Sequence, residues 1–270
     1  MAVNLRAQDI AAQIKTASGS ELDSLLERYA DDPRRLVQAA CKAARKQQEK
    51  HKEELIRIQG LYSYMYKLAD EISAHNSLSN EEGLILGLDE VGRGSLAGPL
   101  TVAAVALPSY PLILGLDDSK KLNPHKRELL AVEIKELAKA YSLVHIEAEF
   151  IDHYGISAAL RKAMSDAIEL IDKPIKAVLI DGVPLRIHPL EHAEVKGDAK
   201  LACISAASIL AKVSRDELMK EYDKLYPNYG FAHSKGYGSA DHIAALECYG
   251  LSPLHRKSFC KNFSLQDSLF

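Results

Sequence analysis

Residues 84 to 94 constrain the fold more tightly than any other stretch. Leu84-Ile85-Leu86 and Leu88 make an apolar run, Asp89-Glu90 follow directly, and Gly92-Arg93-Gly94 close it. An apolar run this short, bounded by glycines, reads as a buried strand. Carboxylates at its end must be solvated, paired or bound to a cation, because an uncompensated buried charge costs several kcal/mol. Neighbouring side chains of a regular strand point to opposite faces, so both acids reach one site only if the chain leaves β geometry there. Gly92 and Gly94 permit that, and they let backbone N–H groups form an anion-binding concavity with Arg93 beside it. Cation ligands next to a phosphate cradle are the parts that metal-assisted phosphoryl chemistry requires.

Two other readings of the same window stay open. Gly92-x-Gly94-x-x-Ala97 after an apolar strand fits the glycine turn of a dinucleotide-binding unit. Against it, Gly98-Pro99 and the apolar run Leu100 to Leu107 predict a second strand, which leaves no helix N-terminus for a pyrophosphate. The third reading is an acidic turn with no chemistry.

The chain has 270 residues, enough for one large or two smaller domains with a full core. No stretch approaches the roughly 18 apolar residues of a membrane span, and no signal-peptide core is seen, so a cytoplasmic, non-membrane protein is expected. Cys41, Cys203, Cys248 and Cys260 lack metal-ligand spacing and read as buried free thiols. The net charge of −3 divides into +1 over residues 1–80 and −4 over the rest. If four carboxylates of the second part sit on metal, its remaining charge is near neutral and its basic residues are free for a nucleic-acid backbone.

Residues 1–78 read as an all-helical N-terminal segment: a helix over 6–16, another after Ser20, and a long one from Pro33 to Gly60 or beyond. The charged middle of the last, Lys42 to Arg57, reads first as a solvated face and second as a contact for substrate or a protein partner. Ser73 to Asn80 is the expected linker. From residue 79 strands alternate with helices, the mark of an α/β domain. Ala177 to Ile180 repeats the earlier logic, an apolar strand delivering Asp181-Gly182 at its C-terminal edge. A strand is expected over 142–150, a single helix over 151–171, and another over 200–226. On that last helix Ser208, Lys212 and Asp216 recur every four residues and share a face. Lys120 and Lys121, after Asp117-Asp118-Ser119, and Tyr237 between Gly236 and Gly238 are further candidates for substrate contact.

Asp89-Glu90-Val91-Gly92-Arg93-Gly94, Asp117 to Leu122, Asp181-Gly182, Lys196-Gly197-Asp198, Ile204 to Asp216, and Lys235-Gly236-Tyr237-Gly238 occur in this order. In this the chain closely resembles bacterial type 2 ribonucleases H over residues 83 to 263. The resemblance implies an RNase H-like fold, a mixed five-stranded sheet flanked by helices, with the catalytic domain over 79–270. It implies that Asp89, Glu90, Asp181 and Asp216 hold two divalent ions, Mg²⁺ or Mn²⁺. The activity implied is hydrolysis of the RNA strand of RNA/DNA hybrids and cleavage 5′ to single ribonucleotides in duplex DNA, leaving 5′-phosphate and 3′-hydroxyl ends. Gly92-Arg93-Gly94 would sense the ribose 2′-hydroxyl, Tyr237 would pack on the neighbouring deoxyribose, and Lys120, Lys121, Ser208 and Lys212 would line the substrate path. A monomer is expected. Ser95 departs from the proline that many members carry after the second glycine.

Overall fold

The computed structural model describes residues 5–76, 82–261 and 263. Its contacts divide the chain into two compact units, Met1–Arg57 and Ile58–Phe270.

The first unit comprises α1 (Ala7–Thr16), α2 (Gly19–Arg28) and the start of α3 (Arg35–Ala74). Ile10 and Ile14, one turn apart on α1, meet Leu26, Val37 and Cys41 in a small core. Asp32 precedes α3 and accepts hydrogen bonds from the Arg34 backbone and guanidinium, which hold its carboxyl down at about 2. In the charged stretch 42–57, Arg45 donates to the Leu26 carbonyl and Arg57 pairs with Glu54 at 2.8 Å.

The second unit is built on one sheet of order β3-β2-β1-β4-β5. Its strands are β1 (Leu84–Val91), β2 (Leu100–Ala106), β3 (Ala140–Ile146), β4 (Ile175–Asp181) and β5 (Glu191–Glu194). β1 is central, antiparallel to β2 and parallel to β4, so the sheet is mixed as expected. One face is covered by α4 (Pro124–Leu137), α7 (Ala202–Leu225) and the end of α3; the other is covered by α5 (Ala148–Tyr154) and α6 (Ile156–Glu169). The α7 backbone reaches β1 because Gly87 has no side chain: a Cβ there would lie 2.3 Å from the Cys203 carbonyl carbon. Beyond α7 come α8 (Phe231–Ser234) and α9 (Ala240–Tyr249), which with Tyr229, Leu246 and Cys260 form a third, smaller core.

The contacts divide the chain at Arg57/Ile58, inside the helical stretch read as the N-terminal segment, because Ile58, Leu61, Tyr62, Met65, Leu68 and Ala69 form a helical stripe buried in the sheet's own core. Two expectations are revised. The expected linker overlaps the end of α3, and its residues 77–80 lie outside the described residues. The strand over 142–150 and helix over 151–171 become β3 ending at Ile146, then α5 and α6, broken at Gly155 with φ 81°. β5 was not anticipated.

Candidate active site

The site lies at the C-terminal ends of β1 and β4. Alternation along β1 puts Asp89 on the face of Gly87, toward α7, where the Ser208 hydroxyl favours its ionised carboxylate. Ser208 in turn meets the Ser119 hydroxyl at 3.0 Å, which ties the 117–121 loop to the acid. On β4, Leu179 belongs to the α7-side core, so Asp181, two residues on, faces the same way. Leu88 pairs with Ile180, which sets Asp89 beside Asp181 on neighbouring parallel strands.

Their proximity shows in the electrostatics. Burial pushes Asp89 well above the usual carboxylate range, and the charges of Glu90 and Asp181 push it further. Glu90 is also raised, by burial first and by Asp181, while Arg93, 3.7 Å away, opposes the shift. The expected departure from β geometry at these acids does not occur: β1 stays in register with β2 through Val91, and the chain turns only at Gly92, φ 85°. Glu90 therefore starts on the opposite face from Asp89. Among the described residues, accordingly, no three acidic, histidine or cysteine side chains form a ready three-ligand group. What exists is a pair of hard oxygen donors with a third carboxylate close by. That donor set suits an ion such as Mg²⁺ or Mn²⁺, which retains waters and takes one or two carboxylates plus substrate phosphate oxygens.

The acid that joins this group from beyond β4 is Asp198. It is buried, and its carboxyl is raised by burial and then by the charges of Asp181 and Asp118, with Lys120 opposing. Gly197, just before it, donates its N–H to Asp181 Oδ1 at 2.7 Å. Asp216, expected as the fourth ligand, stands elsewhere. It bonds Lys212 Nζ at 2.6 Å and lies 3.9 Å from Arg127. Eight residues of helix put it about 12 Å beyond Ser208, the α7 residue that touches Asp89. The shared face of Ser208, Lys212 and Asp216 is real, but that face runs away from the acids. Lys212 is thereby an ion-pair partner in this structure. Lys121 likewise pairs with Asp117 at 3.1 Å, and Lys120 is exposed beside Asp198.

The glycine-arginine-glycine turn and the tyrosine loop meet. Gly236 O accepts from the N–H groups of Leu96 and Ala97 at 2.8 and 3.1 Å, and a Cβ at Gly236 would strike Ala97 O at 2.3 Å. The two glycines of the turn differ in use. A Cβ at Gly92 would sit 2.3 Å from Arg215 Nε, so this glycine admits protein, whereas nothing lies within 4 Å of one at Gly94, which leaves room for a ligand. Arg93 is exposed, and Tyr237 is partly exposed with its ring 5.5 Å from the Arg215 guanidinium.

Two buried arginines hold this arrangement. Arg215 donates to Pro99 O, Lys235 O, Ser95 Oγ and Ala97 O, joining turn to loop. Ser95, the departure from proline, thus supplies one of its acceptors. Arg256 donates to Gly98 O and Arg93 O from the C-terminal segment. Each is fully buried, and burial depresses both guanidinium groups, Arg256 to about 10. The signal that pointed to Asp198 was available, an acid beside a glycine ahead of an apolar helix. Nothing local marked the arginines as buried.

A sequence model of the family described as Ribonuclease HII matches residues 86–262, and one described as Ribonuclease HII N-terminal domain matches residues 7–68. The chain is 40% identical over 248 residues to a ribonuclease HII of Ruminiclostridium cellulolyticum, spanning 92% of this chain and 88% of that one. It is 42% identical over 240 residues to a ribonuclease HII of Enterococcus faecalis, spanning 88% and 89%. A solved chain from the PCNA:RNase HII complex of Archaeoglobus fulgidus superposes with a TM-score of 0.57 at 26% identity, covering 64% of this chain and 94% of that one.

Proposed function

The chain belongs to the ribonuclease HII family, a ribonuclease H acting on RNA/DNA hybrids, and we propose that it also cuts duplex DNA 5′ to a single embedded ribonucleotide. The observation that carries this reading is the joining of the Gly92-Arg93-Gly94 turn to the Tyr237 loop through Gly236 and Arg215, next to the acid pair. Telling one ribonucleotide from its DNA neighbours requires contacts on both sides of a single sugar–phosphate step, and the 2′-hydroxyl is the group to be read. The open space at Gly94 supports close approach of backbone to the ribose. Tyr237 offers a ring for the adjoining sugar, and Arg93 offers a cation for phosphate.

Asp89 and Asp181, with Glu90 and Asp198 beside them, are the residues that would hold divalent metal, Mg²⁺ or Mn²⁺. Bound there, such ions supply an activated water and a stabilised leaving oxygen for phosphodiester hydrolysis, giving 5′-phosphate and 3′-hydroxyl ends. The chain's own part is to orient the acids. Ser208 holds Asp89, the Gly197 N–H holds Asp181, and the mutual repulsion of the carboxylates is a standing demand for positive charge. Asp216, with Lys212 and Arg127, is assigned to the structure of the substrate path rather than to the metal. Among the described residues no helix is long and apolar enough to cross a membrane.

The test is cleavage of an end-labelled duplex with one ribonucleotide, beside an all-DNA duplex and a long RNA/DNA hybrid, with Mg²⁺, with Mn²⁺ and with EDTA. A metal-dependent cut 5′ to the ribonucleotide is expected. Cleavage of the long hybrid alone would remove the junction reading and leave the acid site.

A further inference from the structure

The N-terminal domain match ends at residue 68, yet the part of α3 from Ile58 onward belongs to the catalytic unit. Polar contacts fasten it there, three of them as follows. The Tyr62 hydroxyl accepts from the Ile113 N–H, Asp70 pairs with Lys176 at 2.6 Å, and the Tyr64 hydroxyl donates to Glu194 Oε2 at 3.1 Å. The first two reach structural positions, but the third reaches the acids.

Glu194 ends β5 in register with Asp181 and accepts the Gly182 N–H on its carbonyl at 3.0 Å. Its other carboxylate oxygen receives the ammonium of Lys200. Lys200 closes the short 3₁₀ turn Gly197–Ala199, which starts from Lys196 in the left-handed region at φ 58°. That turn carries both the Gly197 N–H bound to Asp181 and the side chain of Asp198. A closed circuit results: Asp181 to Gly197, along the turn to Lys200, across to Glu194, and back to Asp181 through the β4–β5 pairing. A Cβ at Gly197 would meet the Ile204 side chain at 2.7 Å, so the turn is also pressed against α7. Tyr64 brings into this circuit a group from the N-terminal helix. Its hydroxyl fixes the rotamer of a carboxylate that, among the described residues, otherwise has Lys200 and, at 3.7 Å, His192 to hold it.

We propose that Tyr64 is a positioning residue for the metal carboxylates, acting through Glu194 and Lys200 on the turn that orients Asp181 and presents Asp198. The inference rests on the reading of Asp181 and Asp198 as metal-holding acids. It gives the end of the N-terminal helix a task that does not involve touching substrate: it sets how well the site holds its ion. Groups that orient metal ligands from behind change affinity far more than they change the fold.

The experiment measures Mn²⁺ binding by calorimetry, metal-free thermal unfolding, and KM for a hybrid substrate at saturating Mn²⁺. The full-length wild type is compared with Tyr64→Phe, Glu194→Gln, the double variant and Asp181→Asn. Tyr64→Phe removes only the hydroxyl. It is expected to weaken Mn²⁺ binding roughly three- to tenfold, the range for one ordinary hydrogen bond and so only part of what a bond to a carboxylate is worth, while KM stays at the wild-type value and metal-free unfolding shifts no more than the loss of one hydrogen bond allows. In the Glu194→Gln background, where the amide still accepts from Tyr64 but no longer pairs with Lys200, the same change is expected to have a smaller effect than in the wild type, since both lie on one path. Unchanged Mn²⁺ binding in Tyr64→Phe, or effects that add in full, would overturn the proposal. Wild-type binding that Asp181→Asn leaves intact would overturn the metal reading itself and the inference with it.

Discussion

Replacing Arg215 by methionine tests what joins the recognition turn to the tyrosine loop. The side chain is fully buried and makes four hydrogen bonds, to Ser95 Oγ at 2.9 Å and to the carbonyls of Pro99, Ala97 and Lys235 at 2.9, 3.1 and 2.8 Å. Methionine fills similar space and leaves those acceptors without their donor. Hydrogen bonds from a charged group are worth about 1.5–3 kcal/mol each, and part of that sum is offset by no longer burying a cation. A net loss of about 3–5 kcal/mol follows, or a fall in melting temperature of roughly 6–20 °C for a domain of this size. Urea unfolding of the metal-free protein measures the first quantity. The second readout is the ratio of kcat/KM on a single-ribonucleotide duplex to that on a long hybrid. It is expected to fall at least about tenfold, since turn and loop lose their common anchor while the acids on β1 and β4 keep theirs. Arg215→Lys keeps the charge but cannot reach four acceptors, so it should resemble the methionine variant. A variant within about 1 kcal/mol of wild type, with an unchanged ratio, would refute the reasoning.

Other consequences follow from the titrating groups. Asp89 has its carboxyl raised by burial and by Glu90 and Asp181, so in the metal-free protein the native state binds the proton more tightly than the unfolded chain. Its ionisation therefore opposes folding, with the penalty growing as pH rises above the ordinary carboxylate value and complete above the raised one. Asp89→Asn is expected to unfold at higher urea than wild type at neutral pH without metal while losing turnover; a destabilised variant would contradict this. His255 is depressed to about 4 by burial and by His242, whose Nε2 lies 3.0 Å from its own. With the His242 Nδ1–H donating to Tyr237 O and the Ser252 N–H donating to His255 Nδ1, both rings are neutral. The unfolded chain takes up this proton near 6.5, so stability is lost as pH falls from about 6.5 to about 4, amounting to roughly 3 kcal/mol. A His255→Asn variant should lack that part of the profile, and parallel pH profiles for the two proteins would count against the assignment.

How much of this was legible in the sequence depends on how local each feature is. Asp89, Glu90 and Asp181 were legible as candidates because an acid at the end of an apolar run is a local pattern, and the strands bring Asp89 and Asp181 side by side. The helix stripe from Ile58 was periodic enough to predict helix but not to say what it packs on, so the boundary was expected at the polar stretch after it. β5 was missed because Glu191-His192-Ala193-Glu194 carries no apolar alternation, and pairing with β4 makes it a strand. Asp216 was expected from helix-face logic, which fixes direction around the axis but not distance along it, and from the family resemblance, while Asp198 entered only as part of the Lys196-Gly197-Asp198 motif. Arg215 and Arg256 were opaque for a related reason. Apart from Ser95 Oγ and the nearer Lys235 O, their acceptors are backbone carbonyls from segments more than 100 residues away, and no residue pattern announces a carbonyl.

The acid site itself is tested most directly by cleavage of the single-ribonucleotide duplex across a Mn²⁺ titration, comparing wild type with Asp181→Asn, Asp198→Asn and Asp216→Asn. If Asp89, Glu90, Asp181 and Asp198 hold the metal, the first two variants lose cleavage or need much more Mn²⁺. Asp216→Asn should saturate at the wild-type Mn²⁺ concentration. A shifted Mn²⁺ requirement in Asp216→Asn, with Asp198→Asn behaving as wild type, would return the fourth place to Asp216 and contradict the geometry described above.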